Sequence, residues 1–238
     1  MAEAAVMSPT PECVPTQRTL VIDVGGTNVK FLLEGDAESK RFPSGPTLTP
    51  AAMVSGVREQ LAGVEFDRIT IGFPAPIVAG MATRDPVNLG AGWTDFDFET
   101  AFEKPVRVIN DAALQAVGSY DGGKMLFLGL GTGLGSAMVI DHVVLPLEFA
   151  HLPYRKKQTY EDFVGHRGLE RLGKKKWHEA VADVVDRLST AVVADYVVLG
   201  GGNAKKLKSW PDKARKGDNA HAFTGGLRLW SEPRYRLP

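Results

Sequence analysis

Several things are scarce in this chain, and each scarcity excludes a class of chemistry. Among 238 residues there is one cysteine, Cys13. That rules out an internal disulfide framework and any zinc site built from several thiolates. A lone thiol suits a reducing compartment, so a cytoplasmic protein is expected. An excess of one charge is also missing. The 28 Lys and Arg side chains balance 28 Asp and Glu, so no global field points to nucleic acid or a membrane as partner. No apolar run nears the roughly 20 residues of a spanning helix. The first 17 residues have no basic start leading into an apolar stretch, so no secretory signal is expected and they read as a frayed tail.

What is present is an ordinary globular composition, 44% hydrophobic, enough for one core or for two small lobes around a cleft. The balanced charge hides a split. Residues 1–150 hold 10 basic and 18 acidic side chains, and residues 151–238 hold 18 basic and 10 acidic. The basic residues gather as Arg155-Lys156-Lys157, Lys174-Lys175-Lys176, Lys205-Lys206-Leu207-Lys208 and Lys213-Ala214-Arg215-Lys216. Such clusters are either solvated surfaces or a face for a polyanion.

The pattern predicts a strand over 19–24, a glycine turn, and a returning strand over 29–33, with Lys40–Pro43 as an edge strand. Thr49 and Pro50 open a helix running to Leu61, Thr49 as its cap. Strands follow at 68–73 and 106–109, and a helix at 112–120. A second strand–glycine turn–strand unit spans 124–140, repeating the first. A long helix is expected over 169–188, divided at Gly173, then a buried strand at 196–199 and a final helix over 219–230.

The chemistry sits where these elements end. Asp23-Val24-Gly25-Gly26-Thr27-Asn28 places glycines in a tight turn, where backbone N–H groups can approach an anion and Thr27 adds a hydroxyl. Gly129-Leu130-Gly131-Thr132-Gly133-Leu134-Gly135 repeats the device. Two such turns can hold a chain of phosphates from opposite sides. Each taken alone is also just a hairpin turn. Neither fits the G-x-x-x-x-G-K-[ST] pattern, which disfavours a Walker-type NTPase. Asn110-Asp111 follows a strand directly, and Asp111 is either a proton acceptor beside a substrate hydroxyl or the cap of the next helix. Glu148 and His151 offer two polar groups three residues apart, and Gly200-Gly201-Gly202 ends a buried strand.

In this order, Asp23–Thr27, Gly72-Phe73-Pro74, Asn110-Asp111, Gly131-Thr132-Gly133, Glu148…His151 and Gly200-Gly201-Gly202, the chain resembles the sugar kinases of the ROK (repressor, open reading frame, kinase) family. Tyr160-Glu161-Asp162-Phe163 and Gly173-Lys174-Lys175-Lys176-Trp177 are similar to its polyphosphate glucokinase branch. The resemblance covers residues 18 to 230. It implies an α/β, two-lobed actin-like/hexokinase (ribonuclease H-like) fold with the substrate cleft between lobes at 18–110 and 111–238, the last helix returning to the first lobe. It implies a hexose kinase moving a phosphoryl group from polyphosphate or ATP to the 6-hydroxyl of glucose.

On that resemblance Asp111 is the general base, and Asn88, Asn110, Glu148 and His151 hold the sugar. Gly25, Gly26, Thr27, Gly131, Thr132, Gly133, Gly201 and Gly202 hold the phosphate donor, and Asp23 helps place Mg²⁺, directly or through water. The chain departs from the family at three points. The cysteine cluster that binds zinc is missing, so no zinc is expected. Pro74-Ala75 replaces Pro-Gly, and Ala150 replaces the glycine before His151. Too few residues precede the first strand for the helix-turn-helix of the family's repressors, so no DNA partner is expected. A homodimer stays open, as does a non-catalytic sugar- or phosphate-binding relative of the same fold.

Overall fold

The computed structural model describes residues 17–237. The reading of residues 1–16 as a tail, and Cys13 with it, lies outside them. The first half runs β1 (Thr19–Val24), β2 (Asn28–Leu33), β3 (Lys40–Pro43), α1 (Pro50–Gln60), β4 (Arg68–Phe73), β5 (Ile77–Val78), β6 (Met81–Ala82), α2 (Phe98–Phe102) and β7 (Val106–Asn110). The second half runs α3 (Asp111–Ser119), β8 (Lys124–Leu130), β9 (Leu134–Ile140), β10 (Val143–Leu147), β11 (Pro153–Arg155), β12 (Gln158–Thr159), α4 (Tyr160–Val164), α5 (His166–Ala191), β13 (Tyr196–Gly200), β14 (Ala214–Lys216) and α6 (His221–Ser231).

The two halves fold by the same rule. One sheet has the order β3-β2-β1-β4-β7 and the other β10-β9-β8-β13-β14. In each, three strands joined by tight turns lie antiparallel, and two more join in parallel after a crossover. The central strands are apolar at nearly every position because both faces are covered. Leu20 and Ile22 of β1 face α1 through Met53, Val54 and Val57. Leu126 and Leu128 of β8 face α5 through Val181, Val184 and Val185. The alternate residues, Val21 of β1 and Met125 and Phe127 of β8, meet around α3 and α6 in a third core between the sheets.

That middle layer is tight. A Cβ on Gly118 of α3 would collide with the His221 carbonyl of α6, and one on Gly225 would collide with the Leu114 carbonyl. Glycine at both positions lets the helices approach backbone to backbone. On its other side α6 reaches the first sheet, where the Trp230 indole donates to the Thr70 hydroxyl (2.9 Å), which in turn donates to the Gly226 carbonyl (2.9 Å).

Local chemistry sets the boundaries. The Thr49 side chain accepts from the Ala52 N–H and Pro50 occupies the first turn of α1. The long helix breaks at Gly173, whose φ of 72° and ψ of 163° leave the helical region. No helix among the described residues is long and apolar enough to cross a membrane.

Candidate active site

The turn after β1 is shaped from behind by Ser44. Its N–H donates to the Thr27 carbonyl (3.0 Å) and its hydroxyl to the Gly25 carbonyl (2.5 Å). The Gly25 N–H closes the turn on the Asn28 carbonyl (3.0 Å). With these carbonyls drawn inward, Gly26 and Thr27 stand exposed. Asn88 lies against this turn, its Cβ 3.1 Å from where a Cβ on Gly26 would sit. Asp85 holds the loop that carries Asn88, accepting the Trp93 N–H (2.7 Å) and the Gly92 N–H (3.3 Å). Those bonds hold the Asp85 carboxyl below its ordinary value.

The second glycine turn joins β8 to β9. The N–H groups of Thr132 and Gly133 make no hydrogen bond among the described residues. Buried Asn203 fixes the turn from one side, its N–H donating to the Leu130 carbonyl (2.9 Å) and its Nδ2 to the Gly131 carbonyl (2.8 Å). This places Gly201 and Gly202 beside the turn. Gly201 has φ of 80°, and a Cβ there would come within 2.6 Å of the Leu130 backbone, so only glycine fits. From the other side the His166 N–H donates to the Thr132 carbonyl (3.1 Å), and the Glu161 carboxylate accepts the Leu134 N–H (3.2 Å).

Asp111 stands where β7 becomes α3. The sequence allowed it to be the helix cap, but that role belongs to Asn110, whose Oδ1 accepts from the Ala112 (3.0 Å) and Ala113 (3.2 Å) N–H groups. Asn110 also donates to the Ala75 carbonyl (3.4 Å), so one N–H is left for a substrate. Asp111 is the first helical residue, and its Oδ1 accepts from Ala112 (2.8 Å). Burial, then the Asp23 carboxylate, and to a lesser degree Glu148, push its pKa up from 3.8 to about 7 against that hydrogen bond. Burial likewise raises Asp23, with Lys30 opposing. Three carboxyl groups from β1, α3 and the end of β10 therefore share one field.

Glu148 is aimed by Ser136, whose hydroxyl donates to the Leu147 carbonyl (2.7 Å) and accepts the Phe149 N–H (3.2 Å). The Glu148 side chain, about half exposed, pairs with Arg84 at 3.8 Å, linking it to the segment after β6. His151 is exposed and makes no hydrogen bond among the described residues. A mostly apolar cavity of about 170 Å³, lined by Ile77, Val108, Asn110, Pro146 and Leu237 among others, takes in only Asn110 of the predicted site residues.

Sequence reasoning did not find Ser44, Asp85, Ser136, Asn203 or Glu161. Glu161 had a signal, because Thr159 and Asp162 form a reciprocal capping box that marks the start of α4. The others are single polar residues whose partners lie in other elements or loops, seven or eight residues away for Asp85 and at least 11 for Ser44, Ser136 and Asn203. Among the described residues no group of three or more His, Cys, Asp or Glu is placed to hold a metal ion.

Two lobes of one topology, each presenting a glycine turn, with carboxyl groups gathered at the strand ends, define the two-lobed α/β class that includes actin and the hexokinases. Solved structures share this fold. An inorganic polyphosphate/ATP-glucomannokinase from Arthrobacter sp. strain KM superposes with a TM-score of 0.72 at 23% identity, over 88% of this chain and 96% of its own. A ROK family glucokinase from Streptomyces griseus, in complex with glucose and AMPPNP, gives 0.67 at 14% identity, over 87% and 97%. The chain belongs to the ROK family, whose sequence model matches residues 19–145. It is similar to the polyphosphate glucokinase of Mycobacterium tuberculosis, 24% identical over 231 residues that cover 85% of this chain and 84% of that protein.

Proposed function

We propose that the protein is a hexose kinase that transfers a phosphoryl group from ATP or polyphosphate to the 6-hydroxyl of glucose. The observation that carries this reading is Asp111, a half-buried carboxyl at the start of α3 beside Asp23, with its pKa pushed up to about 7, in a protein whose relatives include glucokinases. A group with that pKa is well matched to proton transfer at neutral pH.

In its ionised form Asp111 takes the proton of the 6-hydroxyl while that oxygen bonds to the donor's terminal phosphorus. The bond from phosphorus to the bridging oxygen breaks, and the shortened donor leaves with that electron pair. The remaining N–H of Asn110, with Asn88, Glu148 and His151, orients the sugar. The exposed Arg84–Glu148 pair is worth about 0–1 kcal/mol, so sugar hydroxyls can replace it at little cost. The free N–H groups of Thr132 and Gly133, the Thr132 and Thr27 hydroxyls and Gly26 face the donor's charge from the two turns, while Gly25, its N–H spent on the Asn28 carbonyl, shapes the first turn without facing the donor. Gly201 and Gly202 line its distal end.

Mg²⁺ fits this site. Asp23 is a hard oxygen donor, half-buried, and its side chain makes no hydrogen bond among the described residues. A few carboxylates, completed by phosphate oxygens and water, are the usual setting for this ion. When bound, it neutralises charge on the donor's phosphates.

For the donor, the placement of the lysines favours polyphosphate. Asn203 holds the second turn and leads directly into Ala204–Lys206, and the Lys206 carbonyl lies 3.0 Å from Nε2 of His178. The exposed Lys174, Lys175 and Lys176 lie within about one helical turn before His178. A basic track thus leads outward from the donor turn. Replacing these three lysines by alanine should raise KM for polyphosphate, less so at high salt, and leave KM for ATP nearly unchanged. Equal effects on both donors would refute the track.

A further inference from the structure

The Glu161 carboxylate occupies an unexpected place. Its Oε2 accepts the N–H of Leu134 at 3.2 Å, and a Cβ on Gly133 would collide with that same oxygen. An anionic side chain therefore lies directly against the glycine turn, on the Leu134 N–H and beside Gly133. Its Oε1 is 3.6 Å from Nη2 of Arg167, a side chain 78% exposed. Its own backbone N–H donates to the Ala150 carbonyl (3.0 Å), between Glu148 and His151. One residue thus touches both the donor turn and the segment carrying the sugar-side groups.

We infer that Glu161 is an internal competitor for the donor turn, displaced toward Arg167 when a phosphate arrives. This rests on the reading of Gly131–Leu134 as a donor turn. A carboxylate accepting a backbone N–H imitates a phosphate oxygen, and both cannot hold the Leu134 N–H at once. The two negative charges also repel at short range. The Arg167 guanidinium, exposed and already beside Oε1, holds the carboxylate once it leaves the turn. The device lowers affinity for any phosphate donor and ties donor binding to the segment at Ala150.

The test is equilibrium binding of tripolyphosphate, by calorimetry and without sugar, to the native protein and to Glu161→Gln, Glu161→Ala and Thr132→Ala. Removing the charge should tighten binding by roughly tenfold in both Glu161 variants, the fold-change matching one charge-assisted hydrogen bond of competition. Unchanged or weaker binding in Glu161→Gln, with Thr132→Ala weakened, would overturn the inference and leave the donor turn standing. Weakening in Glu161→Gln only when Mg²⁺ is present would overturn it in favour of a metal-side role. If neither the native protein nor the two Glu161 variants bind tripolyphosphate, the donor reading of the turn fails and the inference falls with it.

Discussion

Replacing Asp111 by asparagine removes a carboxyl group that the fold holds against its own preference. The folded protein keeps the proton up to about pH 7, whereas the ordinary value is 3.8. Between those values the folded state binds more protons than the unfolded chain, so stability falls as pH rises across the window. Above it the ionised carboxylate destabilises the fold by about 4 kcal/mol, from a displacement of 3.8 to about 7 at about 1.36 kcal/mol per pH unit. At pH 5 the same arithmetic leaves less than half of that. Asparagine cannot ionise. Asp111→Asn should therefore be more stable than the native protein, by a margin that grows from pH 5 to pH 8. For a chain of this size the gain in Tm at pH 8 should be about 8 °C or more. Asp23, also raised by burial, keeps some pH dependence in both proteins, so the difference between them is the quantity to read. Turnover should fall by about 10²–10⁴-fold with the base gone. Thermal and urea unfolding at pH 5, 6.5 and 8 measure the stability. An equal or lower stability for the variant at pH 8 would refute the argument that burial and the neighbouring carboxylates strain this group.

The other expectations concern the groups around it. In the native enzyme kcat/KM should rise with pH between about 6 and 8 as Asp111, coupled to Asp23, loses its proton, and a flat profile over that range would count against the base. Ser136→Ala removes both hydrogen bonds that flank Glu148, so it should destabilise by about 1–3 kcal/mol and raise KM for glucose more than KM for the donor. Gly201→Ala forces a side chain onto φ of 80° and against the Leu130 backbone. It should destabilise by at least about 1–3 kcal/mol and raise KM for the donor, as denaturation curves and initial rates would show.

Much of the frame was legible because its signals are local. The glycine turns between apolar runs marked both hairpins, Thr49-Pro50 marked the start of α1, and Gly173 marked the break in α5. The strand β10 was not legible. It follows a turn at Asp141 and His142, both at positive φ, where histidine stands in place of the glycine that usually follows Asp in such a turn. The short β5, β6, β11 and β12 have too few residues for a period of two to show. At the candidate site the sequence showed the groups at strand ends. It could not show which residue caps α3, since Asn110 and Asp111 are both capable and only the backbone angles decide. Nor could it show Ser44, Ser136 or Asn203, whose roles depend on carbonyls at least 11 residues away in the chain.

The central claim is that this chain moves a phosphoryl group onto glucose with Asp111 as base. It is tested most directly by incubating the purified protein with glucose, Mg²⁺ and either ATP or polyphosphate, and following the phosphorus resonances of donor and product. The account predicts glucose 6-phosphate from the native protein with at least one donor, and almost none from Asp111→Asn. A native protein that binds glucose yet phosphorylates it with neither donor, or an Asp111→Asn variant that keeps more than about half of the native turnover, would contradict it.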